Sequence, residues 1–159
     1  MSHDFAHCDR IFSAFTFTDI QIAKPPEQRG LYVIRVKQQG MPVRSIVQQA
    51  AAVIQQLQWS MVEAKMLNRI DRLTNIGECT ILYIGSAGTR TESRNTLRGR
   101  YEEFAGRHTI MFPLWALLYF GWSLEYGWKI EDTANVAEAQ LKHMYQTHHN
   151  GKLPALVNR

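Results

Sequence analysis

A chain of 159 residues, 45% hydrophobic and 20% charged, has the makeup of one globular domain with a real core. No apolar run reaches the roughly 20 residues of a membrane span, and Met1-Ser2-His3-Asp4 lacks the basic-then-apolar layout of a signal peptide. Cys8 and Cys79 are the only cysteines and have no CxxC spacing, which argues against a disulfide framework and makes a reducing cytoplasm the default. The formal charge of +4 suits a polyanionic partner but is shared by many proteins that have none.

Residues 1–24 form an apolar lead-in, with Phe12, Phe15 and Phe17 spaced for a strand or a packed arm. Pro25-Pro26 ends it, because neither proline can donate to a ladder. Gly30-Leu31-Tyr32-Val33-Ile34-Arg35-Val36 then reads as a buried strand, closed by Gly40-Met41-Pro42. Pro42 suits the first turn of a helix. From Val43 to about Arg72 the pattern is helical, with room for one break. Val43, Val47, Ala50, Ile54, Leu57 and Met61 recur at spacings of three and four, with glutamines between them. Low charge on the second face of this helix predicts that it too is partly covered. Asn75-Ile76-Gly77 turns the chain into the apolar run Ile81-Leu82-Tyr83-Ile84-Gly85, a second buried strand. If the two runs pair, Tyr32 and Tyr83 come together on one sheet.

A polar loop from Gly88 to Ser93 leads to a second helix with the stripe Leu97, Tyr101 and Phe104, weakened by Gly99. Pro113 to Phe120 predicts a short buried helix after His108. Residues 122–131 alternate, Leu124, Tyr126, Trp128 and Ile130 against Glu125, Lys129 and Glu131, as a half-buried strand does. Asp132-Thr133 offers an N-cap for the last helix, whose stripe is Ala137, Leu141, Met144 and His148 and whose end is Asn150-Gly151. No repeat, low-complexity tract or linker divides the chain. The order of elements predicts a mixed α/β layer fold in a single domain, 1–159, with the helical excursion at about 43–72.

Five signals then stand in order along residues 30–158: Gly30-Leu31-Tyr32, Tyr83-Ile84-Gly85, Arg100 on the following helix, Glu138 on a later one and Asn158 near the end. The ordered set resembles the GIY-YIG nuclease family. Arg100 is matched through Tyr101 and Phe104, Glu138 through Val136-Ala137-Glu138-Ala139-Gln140-Leu141, and Asn158 through Leu156-Val157-Asn158. The resemblance implies a small central antiparallel sheet flanked by helices, and an endonuclease that hydrolyses DNA with one Mg²⁺ (or Mn²⁺). Two departures stand out. Phe104 occupies the place of a family histidine, with His108 one turn further on, and the excursion of residues 43–72 fills a gap that is hairpin-sized in the family.

The residue types suit that chemistry. Phosphodiester hydrolysis needs an activated water, a clamp for the anion and a stabiliser for the departing oxygen. By resemblance, Tyr32 is the base or orients the water, and Tyr83 bonds to the phosphate or the water. Arg100 clamps phosphate with its planar fork, Glu138 is the single metal ligand, and Asn158 ties the C-terminal segment to the site. A phenol near its ordinary pKa of about 10 is a poor base, so a cation such as Arg100 has to favour the phenolate. Gly85, Arg90, Arg94, Arg98 and His108 are the candidate substrate contacts. The partner is DNA, single- or double-stranded, with self-association through residues 43–72 and no membrane. All of this requires two phenols, a guanidinium and a carboxylate to line one cavity.

Plainer readings remain beside each of these. Paired strand tyrosines commonly serve packing. Lys142 stands four residues after Glu138, the spacing of a helix salt bridge. Arg90, Arg94, Arg98 and Arg100 form either a solvated helix edge or a phosphate track. His143, His148 and His149 show no cysteine partner in the sequence, and adjacent His148 and His149 point to different faces, which argues against zinc. The competing function is a catalytically inactive nucleic-acid-binding module of the same fold.

Overall fold

In the computed structural model, residues 5–88, 95–106, 108 and 110–157 are described. The chain runs α1 (Phe5–Ile11), β1 (Thr16–Asp19), β2 (Gly30–Gln38), α2 (Val43–Gln55), α3 (Ser60–Asp71), β3 (Ile81–Ala87), α4 (Leu97–Glu103), α5 (Met111–Tyr119), β4 (Ser123–Ile130) and α6 (Ala134–Thr147). A 3₁₀ turn, Arg72–Asn75, follows α3. The strands form one sheet in the order β1-β4-β2-β3, antiparallel at every pairing. The mixed α/β layer class read from the sequence is the class of this fold.

β2 lies inside the sheet, bonded to both β4 and β3, so its apolar run is covered on both faces. Side chains alternate across it. Tyr32, Ile34 and Val36 enter the larger core with Ile46 and Ile54 of α2, Ile70 of α3, Leu97 of α4 and Leu114 of α5. Leu31 and Val33 enter a smaller core with Cys8 of α1 and Leu141 and Tyr145 of α6. The register places Tyr32 opposite Gly85 and Ile34 opposite Tyr83, so both phenols lie on the larger-core face.

Several elements differ in detail from the sequence reading. The lead-in holds a helix, α1, before the short strand β1 that carries Phe17. The excursion breaks between α2 and α3, where Gln58 takes φ 53. Around that break the apolar stripe loses its cover: Ile54 is buried, whereas Leu57 and Met61 on either side of Gln58 are exposed. α5 begins at Met111, which leaves Pro113 in the first turn, where its missing N–H costs no helix bond. Thr133 does take the N-cap position of α6, but its hydroxyl donates to Glu131 and caps nothing. The buried stripe of α6 is Ala134, Leu141 and Tyr145, with Met144 and His148 turned outward. Asn150 and Gly151 both take positive φ and end that helix. Among the described residues no helix is long and apolar enough to cross a membrane.

Candidate functional site

Tyr32 leans from β2 across the neighbouring strand and lies over Gly85. A Cβ on Gly85 would stand 2.4 Å from the Tyr32 Cζ and 2.5 Å from its hydroxyl, so only glycine admits the ring there. Tyr83 stacks on one side with centroids 5.8 Å apart and Tyr126 on the other at 5.7 Å, while Phe104 meets Tyr32 edge-on. Tyr32 is thereby 2% exposed. Burial raises its pKa well above 10, and the neighbouring phenols push in the same direction. Burial raises Tyr83 as well. The two phenols act on each other through their stacked rings, and the neighbouring phenol is a further cause that raises Tyr32. Arg100 does pull both phenols toward phenolate, as the sequence reading required, but burial outweighs it.

Arg100 reaches this cluster from α4, whose N-cap Thr96 accepts the Gly99 N–H at 3.1 Å. Its Nη1 donates to Glu103 at 2.8 Å, while its Nε is buried without a hydrogen-bond partner among the described residues. Two residues earlier the side chain points away. Arg98 pairs with Glu27 at 3.1 Å and donates to the Pro25 carbonyl at 3.3 Å, anchoring α4 to the segment before β2. Arg98 therefore does not join the tyrosines. Arg90, Arg94 and Asn158 lie outside the described residues. The segment that leads to Asn158 follows the edge of β3, where the Leu156 N–H donates to the Leu82 carbonyl at 2.9 Å.

His108 closes the cluster from the turn before α5. Its ring meets Tyr83 edge-on at 5.3 Å and Phe104 at 4.4 Å. The Ile110 N–H donates to Nδ1 at 3.2 Å, so the neutral ring carries its hydrogen on Nε2. Burial lowers its pKa to about 4, which keeps it neutral at pH 7.

Glu138 arrives differently. Its helix, α6, packs on the smaller-core face, the side of the sheet opposite the phenols. β3 is an edge strand, and Glu138 meets the Ser86 hydroxyl there while accepting from Lys142 Nζ at 2.5 Å. Its charge still bears on Tyr83, raising that phenol's pKa. Glu138 thus lies on the opposite side of the sheet from the phenols, so the four side chains do not line the single cavity that the sequence reading required; the carboxylate bears on Tyr83 only around the β3 edge. The carboxylate is already neutralised by the Lys142 ammonium.

Three contributors were not legible as site residues. Arg72, from the 3₁₀ turn that ends the helical excursion, acts on Tyr83 electrostatically and has a buried Nη1 without a hydrogen-bond partner among the described residues. Tyr126 stood out only as one apolar position of an alternating strand. Ser86 directly follows Tyr83-Ile84-Gly85, and the strand alternation alone turns it toward α6. A cavity of about 670 Å³ opens elsewhere, between α4 and α5, lined by Ile20, Tyr101, Phe104, Leu114, Trp115 and Tyr119 among others. Neither phenol of the Tyr32–Tyr83 pair lines it, nor do Arg100 and Glu138. The structure also corrects the histidine reading: His149 has a cysteine partner, Cys8, 3.5 Å from its Nε2.

No family model matches the chain, and neither a curated protein nor a solved structure is similar to it at a significant level.

Proposed function

We propose that this protein is a metal-dependent endonuclease that hydrolyses DNA phosphodiester bonds at the β3 edge. One observation carries the reading. Two guanidinium atoms, Arg100 Nε and Arg72 Nη1, are buried without partners among the described residues, and both side chains act by their charge on Tyr83, which stacks on Tyr32. A buried unpaired donor is costly, and an anionic oxygen is the ligand that satisfies it best. The phosphodiester oxygens would take these donors. Tyr83, the more accessible phenol, would hold the attacking water, with the buried Tyr32 hydroxyl fixing its orientation. His108, neutral and protonated at Nε2, offers one further donor. Glu138 and the water around it would hold Mg²⁺ or Mn²⁺ in the place of the Lys142 ammonium. When bound, that ion supplies Lewis-acid stabilisation to the departing 3′ oxygen.

The test is incubation with single- and double-stranded DNA in Mg²⁺ or in EDTA. Glu138→Ala should abolish cleavage while DNA binding persists. Undiminished cutting by that variant overturns the metal role. A second reading, an inactive nucleic-acid-binding module of this fold, is favoured by one feature: Tyr32 is closed off, and Arg100 and Glu138 each hold an intramolecular partner. DNA binding without cleavage in either metal selects it. A cytoplasmic setting agrees with both readings, since Cys8 and Cys79 are thiols rather than a disulfide.

A further inference from the structure

On the face opposite the phenols, the smaller core carries soft ligands that the nuclease reading does not use. Cys8 comes from α1, Cys79 from the segment leading into β3, and His149 from the turn that ends α6. Cys8 Sγ lies 3.8 Å from Cys79 Sγ and 3.5 Å from His149 Nε2. All three donor atoms fall within 4.8 Å of one another. A disulfide holds its sulfurs about 2.05 Å apart, so these two are not bonded to each other. Around a tetrahedral zinc ion, with bonds of about 2.3 Å to sulfur and about 2.0–2.1 Å to nitrogen, two sulfurs stand about 3.8 Å apart and sulfur and nitrogen about 3.5 Å. Both observed separations match those edges.

The imidazole is oriented for the same purpose. His149 Nδ1 lies 2.5 Å from the Tyr145 carbonyl, which sets the hydrogen on Nδ1 and leaves the Nε2 lone pair toward the sulfurs. Its ring lies flat on Tyr145, centroids 3.5 Å apart, so it cannot swing away freely. The Ile81 N–H points at Cys79 Sγ from 3.4 Å, a backbone donor to the thiolate. Two thiolates and a neutral imidazole balance the charge of a dication, which a partly buried site needs.

We propose that Cys8, Cys79 and His149 bind Zn²⁺, with the fourth tetrahedral position left to an exchangeable ligand such as water. The ion fastens α1 and the end of α6 to the start of β3, three segments far apart in the chain, and so holds the Glu138 helix against the sheet. Binding releases the two thiol protons to solvent as the two sulfur–metal bonds form. The proposal does not depend on the nuclease reading.

The full chain, stripped of metal and then dialysed after Zn²⁺ addition, should retain about one zinc per chain by elemental analysis. Co²⁺ in its place should give a thiolate-to-cobalt charge-transfer band with the visible bands of a tetrahedral ion. Cys8→Ser and Cys79→Ser should each lose both signals. Should those variants not fold, the wild-type protein still decides: blocking its thiols should release the zinc into an indicator in proportion to the thiols blocked. Failure of the wild type to retain zinc, absence of the cobalt charge-transfer band, or full zinc retention by a folded Cys8→Ser variant overturns the proposal.

Discussion

The chemistry of Tyr32 is decided by the residue across from it. Gly85 lets the ring lie flat between strands, and the resulting burial makes Tyr32 the harder of the two phenols to ionise. In the proposed reaction the tyrosine nearer solvent would therefore take the water-holding part, although the motifs alone assign it to Tyr32. Gly85→Ala tests the packing directly. The added methyl meets the Tyr32 ring at under 3 Å, and overpacking of this kind costs about 1–3 kcal/mol. At about 2–4 °C per kcal/mol for a domain of this size, Tm should fall measurably in a thermal melt. A Tm at or above the wild type would show that the ring moves aside at no cost. Arg98 and Arg100 carry a parallel lesson. They are the same residue type two positions apart, yet helix geometry sends one to Glu27 and the other to the phenols.

At the scale of elements, the excursion between the two tyrosine motifs does two things. It delivers Arg72 to the site through the turn that follows α3, and it exposes an apolar corner where α2 meets α3. Val53, Leu57, Trp59 and Met61 are all exposed there, Trp59 at 64% and Met61 at 70%. Large apolar side chains grouped on a surface mark an interaction site. They support the self-association expected of residues 43–72, which would bring two cutting sites to one duplex. Light scattering on a sizing column should show a wild-type oligomer and a Trp59→Glu monomer. A wild-type monomer at every concentration sinks the idea. The position of α6 is the other result at this scale. Its apolar stripe faces the smaller core, so Glu138 acts from around the sheet edge and reaches Tyr83 by its field.

For the molecule as a whole, half-buried His108 ties stability to pH. Its folded pKa, about 4, lies below the ordinary 6.5. Between those values the unfolded chain binds a proton that the folded chain refuses. Stability is therefore at its full value above about pH 6.5 and falls as pH drops toward 4. His7 is shifted in the same direction, chiefly by burial, and contributes a share that a change at position 108 leaves in place. His108→Phe should shrink the Tm difference between pH 7 and pH 4.5 without removing it. An unchanged difference would mean that the ring takes up its proton as freely in the folded state as in the unfolded one.

Local periodicity was enough for the strands at Tyr32, Tyr83 and Tyr126 and for the helices between and after them. Each of those patterns is written in consecutive residues, and backbone geometry reads them two or three to four at a time. Glycine at position 85 was legible too, as part of a motif, though not the reason for it. Which side of the sheet each helix covers is not a local property. It follows from the strand order β1-β4-β2-β3, and that order placed Glu138 behind the edge, brought in Arg72, and buried Tyr32 between two other phenols. The same holds for the thiols and imidazole, 71 and 141 residues apart, which no spacing rule connects. They meet because α1 and α6 bury their apolar faces on one side of the sheet, a pairing that only the packed core decides.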